Sequence, residues 1–198
     1  MRILFFSFIF LMGSFSLKAQ TDWYADSLQS FRNRYINTHE GVTGEDRKLL
    51  QFYPIDPGYE VPAQFERIVD APWFNMPTTG KISKIFRTYG ILRFSLQGKQ
   101  LRLHVYQSKN LMTDPIYDNY LFIPFTDQTN GEATYEVGRY IDLRTEDLLS
   151  GDFRLDFNKA YNPYCAYISN KFNCPVPPKE NDLPVGIKAG EKKWNGGH

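Results

Sequence analysis

Histidine and cysteine are nearly absent from this sequence, at three and two in 198 residues. His39, His104 and the terminal His198 are the whole imidazole complement. A Ser-His-Asp triad is hard to assemble from so few, and a Cys-His pair would need Cys165 as a free thiol near His104. The standard catalytic signatures are missing as well. There is no G-x-S-x-G elbow, no H-E-x-x-H, no P-loop and no G-x-G-x-x-G opening a helix, so no cofactor is expected. Charge of one sign is not in excess: Lys and Arg number 23 against 22 acidic residues. Without a basic block, electrostatic capture of nucleic acid or anionic lipid has no footing. Beyond the N-terminus no apolar run reaches membrane-spanning length. Neither an internal repeat nor a low-complexity linker divides the chain, which predicts a single domain.

What is present begins with an export pattern. Arg2 precedes an apolar run, Ile3 to Met12, followed by small and polar residues up to Lys18-Ala19-Gln20. This reads as a signal peptide over residues 1–19, too short to span a bilayer, with a mature domain over 20–198 in the periplasm or outside the cell. Loss of Arg2 and Lys18 leaves 21 basic residues against 22 acidic, a formal charge of −1. In an oxidising compartment Cys165 and Cys174, nine positions apart, favour a disulfide over free thiols or a two-thiolate metal site. Closing so short a loop stabilises by roughly 2–3 kcal/mol in the chain-entropy model.

Asp22 to Thr38 predicts one amphipathic helix, with Leu28, Phe31 and Tyr35 on one stripe, Asp22 as cap and His39-Glu40-Gly41 as stop. The remainder predicts short strands. Ile91 to Leu96 and Leu101 to Gln107 flank Gln97-Gly98-Lys99 as a hairpin. Tyr120 to Phe125 and Ala133 to Leu143 form another around Thr129-Asn130-Gly131. Phe153 to Phe157 follows, and Pro184 to Lys188 makes a last edge strand. The run Cys174-Pro175-Val176-Pro177-Pro178 must be extended and lie outside a sheet. The rhythm predicts a mainly β fold: an antiparallel β-barrel or sandwich with one N-terminal amphipathic helix and a Pro-rich C-terminal arm.

Two segments carry the polar residues of interest. In GEATYEVGRYIDL, strand parity places Arg139 in a row with Tyr135, Val137, Ile141 and Leu143. Either Gly138 marks a bulge that re-aims Arg139, or the arginine is partly buried and needs a carboxylate or carbonyl partner, with Glu132, Asp142 and Asp156 as candidates, unless it serves as a bidentate fork for an anion. In LDFNKAYNPYCAY, Asp156 and Asn158 point away from the Phe153, Leu155, Phe157 row, and Asn162-Pro163 starts a turn. That block reads either as a polar network beside a disulfide or as a pocket floor walled by Tyr161, Tyr164 and Tyr167. Asp147, Asp152, Asp156 and Asn158 lack the spacing of a calcium loop, so no metal site is assigned.

The blocks PFTDQTNGEATYEVGRYIDL, LDFNKAYNPYCAY and CPVPPKENDLPVGIKAGEK, in that order, resemble the three hallmark blocks of the domain-of-unknown-function 1684 family. The resemblance rests on Phe125, Asp127, Gly131, Thr134, Tyr135, Gly138, Arg139, Tyr140 and Asp142, then Asn162, Pro163 and Cys165, then Cys174, Glu180 and Asn181. Relatives often carry two or three glycines before the arginine, whereas Glu136 and Val137 precede a single Gly138 here. The leader pattern predicts an exported bacterial member; the resemblance itself implies no established activity, only that these blocks belong together. From the residues, the expected function is binding of a small ring-containing, anionic ligand. The expected groove gathers Arg139, Tyr140, Asp142, Asp156, Asn158, Tyr161, Asn162 and Glu180. The alternatives are a hydrolase or lyase using Asp142 or Asp156 with a tyrosine as acid–base pair, and a purely structural envelope component. No protein partner is specified by the sequence.

Overall fold

A computed structural model describes residues 9–149 and 151–196, with side chains from Trp23 onward. The front of the expected leader, residues 1–8, lies outside the described residues. Residues up to Thr38 form one unit and residues 39–198 a second. The first unit is a helix, α1 (Ile9–Thr38). It begins upstream of Asp22, because no proline interrupts Ile9 to Thr21 and the leucines and methionine there favour helix. It stops where expected, at Thr38.

The second unit is an antiparallel sheet curled into a half-barrel. Its strands are β1 (Glu60–Arg67), β2 (Trp73–Met76), β3 (Lys84–Leu96), β4 (Lys99–Ser108), β5 (Tyr120–Asp127), β6 (Arg139–Arg144), β7 (Arg154–Asp156) and β8 (Asp182–Leu183). The order is β6-β5-β4-β3-β1-β7, with β2 on β3 and the short β8 parallel to β5. β6 and β7 are therefore the two ends of the curl. The β3–β4 turn is the two residues Gln97 and Gly98, with φ of 51° and 73°. Paired positive φ values match the right-handed twist of the flanking strands. The β5–β6 connection is longer than the sequence predicts. Residues before Arg139 form turns rather than strand, and Gly138 at φ 118° leads into β6. A Cβ at Gly138 would lie 2.6 Å from the Phe125 carbonyl oxygen, so glycine is required on both counts.

The sheet has two apolar faces. Leu92, Phe94, Leu103, Val105, Leu121, Ile123, Phe125, Ile141, Leu155 and Phe157 fill the main core. The extended C-terminal run adds Leu183, Val185, Ile187 and Ala189. The predicted edge strand at Pro184–Lys188 forms no ladder; the pair before it, β8, does, and Leu183, Val185 and Ile187 are buried at alternate positions along the run. The opposite face carries Met76, Phe86, Tyr106, Phe122 and Tyr140, with Phe74, Tyr120 and Tyr161 against them.

Strand β3 serves both faces because it is bulged. Thr88 pairs with Tyr106 and Gly90 with Val105, so Tyr89 is an extra residue. Side chains alternate strictly along a strand, and one extra residue reverses which parity points where. Phe86 thus shares a face with Tyr106, whereas Leu92 and Phe94 share one with Leu103. Gly90 marks the kink: a Cβ there would sit 2.5 Å from the Glu66 carbonyl oxygen.

Candidate functional site

Strand parity separates the residues expected to meet. Arg139 points into the main core and is 0% exposed. Its Nη2 donates to Asp127 Oδ2 at 2.8 Å and to the Ile187 carbonyl at 2.8 Å. Nη1 donates to the carbonyls of Ala189 and Glu191, at 2.5 and 3.2 Å. The guanidinium carbon lies 5.4 Å from the Phe125 ring centroid. Its partner is Asp127, not Glu132, Asp142 or Asp156. Asp127 is held in turn by the Thr129 backbone N–H and hydroxyl and by the Ile187 N–H. An ion pair with both side chains at 0% exposure is a structural clasp, and it leaves no face for a ligand anion.

Three other expected members also serve the framework. Asn158 accepts from the Asp56 N–H and donates to the Asp56 carbonyl, so its amide pairs with backbone as a strand neighbour would. Asp156 accepts from the Asn158 N–H and side-chain amide, with Lys159 at 4.0 Å. Asn162 is 1% exposed; its N–H donates to Glu191 Oε2 and its amide to the Lys192 carbonyl. Glu191 also accepts from the Tyr167 hydroxyl at 2.6 Å. Glu180 is exposed on the turn Lys179–Asn181, with its charge felt at His104 and Tyr106.

Tyr140, Asp142 and Tyr161 do come together. A backbone bridge joins Tyr140 to Tyr161, with mutual N–H to carbonyl bonds of 2.9 and 3.0 Å. Asp142 Oδ1 accepts from Tyr161 and from Tyr120, each at 2.7 Å. The carboxylate is both crowded by protein and open to solvent. Crowding raises its pKa above the ordinary carboxylate value, while the Tyr161 and Tyr120 hydroxyls and Arg144 oppose the rise. The Tyr120 phenol is pushed well above its usual range, first by burial and then by the Asp142 charge.

Beside this cluster lies an open recess of about 330 Å³. Phe86, Phe122, Tyr120, Tyr140, Tyr161 and Pro175 wall it, and Lys84, Ser108 and Asn110 contribute polar groups. Phe122 meets Tyr140 edge-on at 4.6 Å, and Tyr140 meets Tyr161 edge-on at 5.8 Å. Crowding by protein lowers the Lys84 ammonium pKa although its side chain is open to solvent. The sequence reading missed Lys84, Phe86, Tyr120 and Phe122. Tyr120 and Phe122 share one parity with Tyr140 and Asp142 across the β5–β6 pair, while Lys84 and Phe86 share a parity on β3. Asp142 and Asp156 meet only across a separate notch of about 540 Å³ between β6 and β7.

Two walls of the recess are tied by the disulfide. Cys165 and Cys174 are bonded, with Cα atoms 6.2 Å apart. Cys165 lies four residues after Tyr161, and Cys174 adjoins Pro175. Thr79 accepts from the Cys174 N–H and donates to its carbonyl, while Thr78 bridges Pro175. The Tyr140 hydroxyl donates to the Pro175 carbonyl. With both thiols bonded, a Cys165 nucleophile is excluded. Among the described residues no group of three His, Cys, Asp or Glu is placed to hold a metal, and no helix is long and apolar enough to cross a membrane.

No curated protein matches this chain. The solution NMR structure of the uncharacterised protein from gene locus rrnAC0354 of Haloarcula marismortui is similar over 88% of this chain and 96% of that one, at 32% identity and a TM-score of 0.65. The family described as a protein of unknown function, DUF1684, matches residues 46–192. That stretch contains the whole half-barrel, the Arg139–Asp127 clasp and the aromatic recess, and the chain belongs to the DUF1684 family.

Proposed function

We propose that this is an exported binding protein for a small ring-containing ligand, held in the aromatic recess between β3, β5, β6 and the disulfide-tied segment. One observation carries the reading: an open 330 Å³ concavity with aromatic walls and a few polar groups. That combination is the usual form of a small-molecule site. Aromatic faces and edges accept rings or the apolar face of a sugar. The disulfide agrees with an oxidising compartment and so with a leader removed after Ala19. The test is a ligand screen by thermal shift on wild type and Tyr161→Ala. A ligand present at 100 times its dissociation constant stabilises by about 2.7 kcal/mol, and that gain should disappear in the variant. Hits whose shift survives Tyr161→Ala bind elsewhere.

A second reading is favoured by the raised pKa of Asp142 in contact with two phenols. Such a group can take a proton while a tyrosine supplies one, which is acid–base chemistry of a hydrolase or lyase. It predicts turnover of a bound ligand that is lost in Asp142→Asn. Binding without turnover eliminates it.

A further inference from the structure

We infer that the recess takes a single ring bearing hydroxyl or N–H donors at one end and a carboxylate at the other, with Lys84 as the partner of the carboxylate. This rests on the recess being the ligand site. Three features of the walls define the class.

The first is proton bookkeeping. A phenol has one proton to donate. Tyr120 and Tyr161 both give theirs to Asp142 Oδ1, and Tyr140 gives its own to the Pro175 carbonyl. Toward anything else these three oxygens are acceptors. The tyrosine side of the recess therefore asks for donors, as hydroxyl or N–H groups supply.

The second is charge. Lys84 opens β3 at the recess and takes part in none of the ion pairs among the described residues. Every other side chain named in the lining is neutral. Asp142, to which Tyr120 and Tyr161 donate, is not among the residues that line the recess. An anion at the Lys84 end thus meets an ammonium that partial burial disfavours, and their pairing relieves both. Arg139, the cation that strand parity nominated for this role, is sealed on the opposite face.

The third is size. At about 330 Å³ the recess is at the small end of ligand sites, which suits one substituted ring rather than a fused or dinucleotide ligand. Phe86, Phe122 and Tyr140 present the apolar surface on which the ring rests. Hydroxyaryl carboxylates and sugar acids share this chemistry.

The experiment is isothermal titration of the full chain with four probes: 4-hydroxybenzoate, glucuronate, and their uncharged counterparts phenol and glucose. Wild type should prefer an acid over its neutral counterpart, and the acid that binds identifies the aryl or the sugar source. The substitution Lys84→Met, at an exposed position, should weaken that acid by roughly 10- to 100-fold, the range for a hydrogen bond to a charged group, while leaving the neutral counterpart unchanged. Equal binding of acid and neutral probe, unaffected by Lys84→Met, overturns the assignment of Lys84 and keeps the recess as the site. Absence of binding by all four probes at millimolar concentration overturns both.

Discussion

A guanidinium sealed from water is tolerable only while its acceptors stay in place. Arg139 is surrounded by Asp127 and three backbone carbonyls. Removing it leaves Asp127 as an uncompensated buried charge, which costs about 3–5 kcal/mol. Arg139→Ala is therefore expected to lower the urea midpoint by that equivalent. A variant with the wild-type midpoint would contradict the clasp. His39 makes a different prediction. It is 3% exposed, its Nδ1 accepts from the Val42 N–H at 2.8 Å, and Tyr164 and Tyr167 pack edge-on against its ring. Burial and then the Arg47 charge lower its pKa to about 4, from 6.5. The neutral ring is the folded form. Below pH 6.5 the unfolded chain takes up a proton that the native state refuses, so stability is full above 6.5 and falls as pH drops toward 4. At about 1.4 kcal/mol per pKa unit the loss approaches ~3 kcal/mol. Urea unfolding of wild type between pH 7 and 4 should show it, and His39→Gln should flatten that slope. Equal slopes would remove His39 from the account.

Among the elements, some were readable and some were not, for local reasons. The Gln97-Gly98 turn was legible because its chemistry is confined to two residues. The Cys165–Cys174 bond followed from spacing and from the export pattern at the head of the sequence. The parity of Arg139, Ile141 and Leu143 against Tyr140 and Asp142 follows from the two-residue period of a strand. The partner of Arg139 did not follow, although Asp127 stands only twelve positions upstream, because Asp127 lies at the end of β5, beyond the residues that pair with β6. The bulge at Tyr89 left no mark in the alternation on either side. Asn181 was also opaque: its amide accepts from the His104 N–H and donates to the His104 and Pro124 carbonyls. It stitches β4 to β5, where a single residue pair forms the ladder. The disulfide makes a prediction at this scale. Reduction should cost about 2–3 kcal/mol, and should also loosen Tyr161 and Pro175, two walls of the recess. A Cys165→Ser/Cys174→Ser variant should therefore melt earlier and bind recess ligands more weakly. Unchanged binding would show that the walls hold without the bond.

At the scale of the molecule, the half-barrel is assembled from distant pieces. β1 pairs with β7, joining Glu60 to Asp156, and Asn158 clips Asp56 across 102 positions. Loop closure of this length precedes the contacts that reward it, so refolding is expected in the millisecond-to-second range typical of β topologies. Stopped-flow refolding in microseconds would mean that local contacts dominate instead. The fold class was legible because turn signals recur at short intervals. The site was not, because its members come from β3, β5, β6 and the segment after β7, and only curling of the sheet brings them together. The extra residue at Tyr89 has one more consequence. It acts as a phase shift within β3, leaving Leu92 to Leu96 in one register and Lys84 to Thr88 in the other. Deleting Tyr89 would rotate the upstream half by half a turn, moving Lys84 and Phe86 from the recess face to the face that carries Leu92 and Phe94. The recess is set by a count of residues as much as by their kinds, and a one-residue change in the length of β3 is enough to take Lys84 and Phe86 out of it.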